Sequence, residues 1–248
     1  MAIHVIAEIG SNWGGDVELG KIHIKNAKES GASYVKFQMW RASDLYESTH
    51  PYWNEVKRSE LTENVAKELK GYADKIGIKW FCSVFYPKAV DFLESVDVPL
   101  YKIASRTSRL VDKFSLETIN NVAKTKKPTF ISTGEGADKQ KIAKLFSSGT
   151  AKFTYCISKY PTPDSEIDWQ QIVNYNFFSD HTLGITIPIA YAALRKQLSG
   201  EDVFIEKHVR LEGNKGPDAS FAISYDELSD LVKHLKRIDS LNLYSSNN

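Results

Sequence analysis

Lys36 sits inside the apolar run YVKFQM (34–39) and Lys102 inside LYKIAS (100–105). A lysine in such a run either snorkels to solvent or pairs with a carboxylate. Two of them at strand ends, with Ser83, Ser105, Ser132 and Ser179 at comparable positions of other runs, make a donor-rich pocket suited to phosphate or carboxylate. The chemistry indicated is binding of a small anionic substrate. Because strand side chains alternate faces, Lys36 and Gln38 point the same way, and so do Glu206 and His208. A lone histidine at a strand end is ordinarily a hydrogen-bonded core residue. Here His181 and His208 end consecutive runs, FFSDHT (177–182) and VFIEKHV (203–209), beside Asp180 and Glu206. Neutral imidazoles with carboxylates that orient the rings or bind through water are the makings of an open divalent metal site. Residue types alone do not choose among Mn²⁺, Mg²⁺, Fe²⁺ and Zn²⁺. Glu8 ends the first run and Tyr160 follows the sixth.

Positioning these groups requires eight strands. Apolar runs bounded by turn residues occur at 3–9, 34–39, 79–85, 100–105, 128–133, 152–158, 177–182 and 203–209. Segments of helical periodicity separate them, at 19–31, 61–77, 89–96, 112–125, 138–149 and 187–198, with a weak signal at 168–175 and a closing one at 224–238. Strict alternation of strand and helix implies parallel pairing, and eight units in 248 residues fit a closed (β/α)8 TIM barrel in the α/β class rather than an open doubly wound sheet. Residues 1–240 are read as one catalytic barrel and 241–248 as a frayed tail. In such a barrel the active site lies at the C-terminal ends of the strands, where the residues above fall. The long aromatic and charged interval 41–60 is read as a functional loop, a lid. The glycines of EIGSNWGG (8–15) are too irregular for a dinucleotide or P-loop fingerprint and read as a turn needing positive φ.

Composition bounds the partners. The formal net charge is +1, from 32 Lys and Arg against 31 Asp and Glu, so nucleic acid and anionic membrane are excluded as expectations and anion binding must be local. Cys82 and Cys156 form no C-x-x-C and read as free buried thiols. With no basic, apolar leader and no run of membrane-spanning length, a cytoplasmic protein is expected.

The blocks AEIGSNWGG, VKFQ, YKIAS, ISTGE, YPTP (160–163), SDHTLG (179–184), IEKHV and GPDAS (216–220) follow one another between Ile6 and about Leu235. With them the sequence resembles the catalytic barrel of the sialic acid (N-acetylneuraminate) synthase family, YPTP with SDHT and E-K-H being the most specific combination. The resemblance implies condensation of phosphoenolpyruvate with the open-chain form of an N-acylated amino sugar such as N-acetylmannosamine, giving a nonulosonic acid and phosphate. It also implies a divalent metal, usually Mn²⁺, with Mg²⁺ an alternative, and allows a homo-oligomer. Carried over, Lys36, Lys102, Ser83, Ser105, Ser132 and Ser179 hold phosphoenolpyruvate with help from Gln38, and His181 and His208 bind the metal. Tyr160 and Asp218 face the sugar. Glu8 and Glu206 serve in water positioning, proton handling or sugar contact, and with Lys36 and Lys102 are the catalytic candidates.

Four departures from the family pattern cluster on the sugar side. Trp13 follows Asn12 where the family has histidine, Thr107 replaces a glutamate beside Arg106, Ser158 precedes Lys159 where bacterial members often have asparagine, and the reading expects a barrel without the family's C-terminal antifreeze-like domain. Arg106, Thr107 and Ser158 therefore join the substrate-binding candidates. The added charge of Arg106 and Lys159 makes a phosphorylated or otherwise anionic acceptor an expectation. Two other readings keep the barrel. A metal-dependent sugar-phosphate aldolase, isomerase or epimerase would turn over without phosphoenolpyruvate, and a non-catalytic sugar-binding barrel would bind without releasing phosphate.

Overall fold

All eight runs form strands. In the computed structural model, which describes residues 2–134, 136–147, 149–198, 200–214 and 216–241, they are β1 (Ile3–Glu8), β2 (Tyr34–Met39), β3 (Lys79–Val84), β4 (Tyr101–Ile103), β5 (Thr129–Ser132), β6 (Ala151–Cys156), β7 (Phe177–Asp180) and β8 (Val203–His208). Each pairs in parallel with its sequence neighbours, and β8 returns to β1 to close the barrel. The eight-stranded parallel barrel expected from the sequence is the observed fold.

The outer ring is made by α1 (Val17–Glu29), α4 (Glu63–Ile76), α5 (Pro87–Ser95), α7 (Ser115–Thr125), α10 (Thr186–Leu198) and α11 (Tyr225–Ser240), with short α8 (Lys139–Ala143) and α9 (Trp169–Ile172). Their ends follow capping chemistry. Thr62 accepts from Val65 N and Gly77 ends α4 in the left-handed region, while Ser224 and Glu227 form a reciprocal capping box on α11. The expected helix at 138–149 contracts to α8, because its apolar stripe is short and runs into SSG.

Two corrections concern the mouth. The fourth strand stops at Ile103, since Ser105 opens the short helix α6 (Ser105–Ser108) and Ser108 Oγ pins that turn by donating to the carbonyls of Ser105 and Ser132. The interval 41–60 is more ordered than a loop. It contains α2 (Ala42–Leu45) and α3 (Trp53–Arg58), and packs its own apolar cluster of Trp40, Ala42, Val56 and Phe85 with Tyr46 and Trp53 against it. Of the expected tail 241–248, residues 242 onward lie outside the described residues. Among the described residues no helix is long and apolar enough to cross a membrane.

Two cores result. The larger lies between strands and helices, where outward side chains such as Val35, Phe37, Cys82 and Ile131 meet the amphipathic helix faces. The smaller fills the lower barrel with Ile6, Tyr34, Phe81, Leu100, Phe130 and Phe177, with Phe204 against them. Each of these phenylalanines contributes on the order of 1.5–3 kcal/mol by leaving water, so the barrel is plugged and its upper half is free to hold polar groups.

Candidate active site

Seven strands repeat one step: two residues after the plug, the side chain becomes polar. Glu8 follows Ile6, Lys36 follows Tyr34, Ser83 follows Phe81, Lys102 follows Leu100, Ser132 follows Phe130, Ser179 follows Phe177 and Glu206 follows Phe204. Alternation sends all of them into the barrel, one level nearer its C-terminal mouth. Lys36 pairs with Glu8 across β1 and β2, and Ser83 with Lys102 across β3 and β4.

Glu206 is the hub of this layer. Its Oε2 lies 3.0 Å from Lys36 Nζ, both its oxygens accept from Lys102 Nζ at 3.2 Å, and Oε1 accepts from Ser179 Oγ at 2.7 Å. Lys36 Nζ is also 2.6 Å from Glu8 Oε2 and donates to Ser83 Oγ at 3.0 Å. Glu8 Oε1 accepts from Gly10 N at 2.7 Å and from Gln38 Nε2 at 3.0 Å. The four charged residues are 0–3% exposed. Ions so deeply buried each cost several kcal/mol in desolvation, and only close pairing offsets it.

The protonation states follow from this packing. Burial pushes the Glu8 carboxyl up to about 7, helped by Glu206 and opposed by Lys36. For Glu206 burial acts the same way, but Lys102 and Lys36 outweigh it and hold the carboxylate well below its usual range. Burial works against the charge on Lys36, yet Glu206 and Glu8 raise its pKa above the ordinary value. On Lys102 burial wins over Glu206, and the pKa falls. The layer therefore holds one firmly charged pair and two groups whose charge a ligand can change.

Above it stand the two histidines, ring centroids 5.7 Å apart. His181 Nδ1 donates to Ile157 O at 2.8 Å, which leaves its Nε2 as a lone-pair donor. His208 Nδ1 is buried without a hydrogen-bond partner. Burial lowers both pKa values to about 4, so both imidazoles are neutral. Two neutral nitrogens, one with an orphaned atom, fit a divalent cation that takes its other ligands from water or substrate. The carboxylates expected beside them are elsewhere. Asp180 faces away from the mouth and pairs with fully buried Lys207 at 2.7 Å, because both lie one residue out of phase with inward Ser179 and Glu206. Glu206 is taken up by the lysines. Among the described residues no group of three or more His, Cys, Asp or Glu side chains is arranged to hold a metal.

The remaining serine and sugar-side candidates make separate contacts. Ser105 Oγ lies 2.7 Å from Ser158 Oγ, and Ser132 Oγ 2.9 Å from Thr154 Oγ1. Gly134, at φ +51°, permits the first pair: a Cβ there would come within 2.2 Å of Ser105 Oγ and 2.7 Å of Ser158 Oγ. Asp218 Oδ2 accepts from Ser11 N at 2.7 Å and Ser11 Oγ at 2.6 Å. Tyr160 is 53% exposed, its ring 4.5 Å from that of His181. Thr107 is buried, its hydroxyl unpartnered.

The two cations expected to face an anionic acceptor do not stand free. Arg106 Nε donates to both oxygens of Asp112 at 2.8 Å, and Nη2 donates to Leu45 O at 2.7 Å, with the guanidinium over the Tyr46 ring. Lys159 pairs with Glu166. Each partner lies six or seven residues further along the chain and outside any helix or strand shared with it, so no periodicity announces the contact. Trp13, where the family pattern has histidine, is 1% exposed and packs edge-on to Phe37 in the outer core. Three residues escaped the sequence reading. Thr154 and Cys156 point inward from β6, Cys156 half-buried rather than buried; alternation within KFTYCIS was the available signal. Phe221 packs its ring against His208, Tyr160 and His181, and only its place after GPDAS hinted at it.

A closed parallel barrel with its ionisable groups gathered at the C-terminal mouth defines the class, a (β/α)8 barrel of the enzymatic type. The NeuB family profile matches residues 23–243. The chain belongs to the NeuB family, the family of the sialic acid synthases. It is 35% identical over 250 residues to an uncharacterized protein of Methanocaldococcus jannaschii, covering 96% of this chain and 71% of that one. It is 31% identical to the N-acetylneuraminate-9-phosphate synthase of Mus musculus, over 95% of this chain and 70% of the relative, and 28% identical to a pseudaminic acid synthase of Campylobacter jejuni, over 96% and 74%. The crystal structure of N-acetylneuraminic acid synthetase from Leptospira borgpetersenii shares the fold, with a TM-score of 0.88 at 23% identity, covering 100% of this chain and 87% of that chain.

Proposed function

We propose that the protein joins phosphoenolpyruvate to the aldehyde of an uncharged 2-acylamino sugar, producing a nonulosonic acid and phosphate in the cytoplasm. The observation that carries this reading is the pair of buried ammoniums, Lys36 and Lys102, sharing Glu206 and ringed by Ser83, Ser132 and Ser179. Such a floor suits a ligand with both phosphate and carboxylate, whose charges replace Glu206 as partner to the lysines. Membership in a family whose named members are synthases of sialic-acid-type sugars supports the same chemistry. An uncharged acceptor follows from Arg106 and Lys159 being neutralised by Asp112 and Glu166, although one relative's name carries a phosphate.

In the proposed reaction the enol carbon of phosphoenolpyruvate bonds to the aldehyde carbon and water adds at the neighbouring carbon. The bond from that carbon to the bridging oxygen then breaks, so phosphate leaves with that oxygen. Lys36 and Lys102 hold phosphate in place and stabilise it as it departs, a role commonly worth several kcal/mol. Glu8 moves a proton at Oε2, the oxygen that faces Lys36 Nζ at 2.6 Å, since Oε1 already accepts from Gly10 N and Gln38 Nε2, and its raised pKa suits this near neutrality. Tyr160 and Asp218 face the sugar. His181 and His208 would hold the divalent cation, Mn²⁺ first and Mg²⁺ second, which when bound supplies Lewis acidity toward the aldehyde oxygen.

The test is to incubate the protein with Mn²⁺, phosphoenolpyruvate and a panel of amino sugars, with and without phosphate, and follow inorganic phosphate. Release with unphosphorylated 2-acylamino sugars is expected. No release with any acceptor from a folded protein, or turnover of a sugar phosphate without phosphoenolpyruvate, contradicts the proposal.

A further inference from the structure

The barrel has a second concavity at its opposite end. A cavity of about 570 Å³ opens where β5 to β8 begin, walled by the rings of Phe130, Phe153, Tyr175, Phe177 and Phe204. That volume lies within the ~300–1,000 Å³ usual for small-molecule sites. The cavity is distinct from the mouth, because the plug separates the two. Phe130 lies 4.5 Å from Phe177 and 4.8 Å from Phe204 between ring centroids, and Lys102 Nζ stands 4.5 Å from the Phe177 centroid. The proposed condensation uses no residue of this lower lining.

Its polar groups favour one charge. Lys152 lines the cavity exposed and, among the described residues, its ammonium makes no hydrogen bond or ion pair. Lys139 stands over the Tyr175 ring and, among the described residues, its ammonium donates only to that hydroxyl. The acid in the lining, Glu201, is held by Asn176, and the amides of Gln171 and Asn174 add neutral hydrogen-bonding capacity. Aromatic walls offer edge and face packing to a flat ring, and a cation without a partner at the rim calls for a negative substituent.

We propose that this cavity binds a small planar aromatic anion, a ring bearing a carboxylate, sulfonate or phosphate, at a site separate from the catalytic mouth. The probe is 1-anilinonaphthalene-8-sulfonate titrated into the full chain and followed by its fluorescence, beside its uncharged analogue N-phenyl-1-naphthylamine. One saturable site is expected, undisturbed by millimolar inorganic phosphate. Lys152→Glu, at an exposed position, is expected to weaken the sulfonate at least tenfold and the uncharged analogue less than twofold. Gln171→Trp, also at an exposed position, fills the opening and removes both. Binding that ignores both substitutions, displacement by phosphate, or loss of binding as the chain self-associates in sedimentation would each overturn the proposal, the last by making a second copy the occupant.

Discussion

Glu206 and Gly134 are the residues on which the site turns. A carboxylate that satisfies two buried ammoniums at once is a stand-in for an external anion, and its removal leaves Lys36 and Lys102 facing one another in a poorly hydrated layer. Glu206→Gln is therefore expected to lose roughly 3–5 kcal/mol of stability, with inorganic phosphate restoring more of the thermal midpoint in the variant than in the parent. Equal phosphate response in the two proteins would refute the lysines as an anion site. Gly134→Ala places a methyl group 2.2 Å from Ser105 Oγ in a left-handed backbone and is expected to raise the KM for phosphoenolpyruvate at least tenfold. Steady-state kinetics decides, an unchanged KM meaning that the Ser105–Ser158 contact is irrelevant to binding.

At the scale of elements, α6 joins the 41–60 segment to the barrel. Arg106 reaches Leu45 and Tyr46 from the turn that also carries Ser105, so Arg106→Ala is expected to raise backbone hydrogen exchange across 42–58 and leave α4 and α7 unchanged; unaltered exchange there would dissociate the arginine from that segment. The junction of α1 and α11 holds a second buried histidine environment. His23 Nε2–H donates to Asn12 O at 3.3 Å and Nδ1 contacts the Tyr225 hydroxyl at 2.6 Å, and burial lowers its pKa to about 4. The unfolded chain, with the ordinary value near 6.5, then binds more protons between pH 6.5 and 4, so stability falls as pH drops through that window, by about 3 kcal/mol for this group. Chemical denaturation of His23→Gln beside the parent at pH 7 and 4.5 checks the sign: the variant's loss on acidification is expected to be smaller. Much at this scale was readable in advance. Alternation put Lys36 with Gln38 and Glu206 with His208, and turn residues marked all eight strands, the fourth of which stops short at Ile103. The same alternation, applied one position further, would have turned Asp180 and Lys207 outward. Pairings such as Arg106 with Asp112 were beyond sequence, because they depend on how α6 re-enters the chain after a strand cut short.

The whole molecule is an aromatic plug with a charged layer above it and an open aromatic cavity below. The barrel was legible because eight similar units leave few other ways to bury their apolar faces, and the location of the mouth followed from strand direction. The charge balance of the site was not legible, since +1 overall says nothing of two lysines and two glutamates meeting inside. That balance carries the central claim, that the layer exists to receive phosphate as it leaves carbon. The most direct test supplies phosphoenolpyruvate with oxygen-18 in its bridging position, together with Mn²⁺ and an unphosphorylated 2-acylamino sugar, and follows the isotope by mass spectrometry. All label is expected in inorganic phosphate; label in the sugar acid or in pyruvate would contradict cleavage at carbon and with it the role assigned to Lys36 and Lys102.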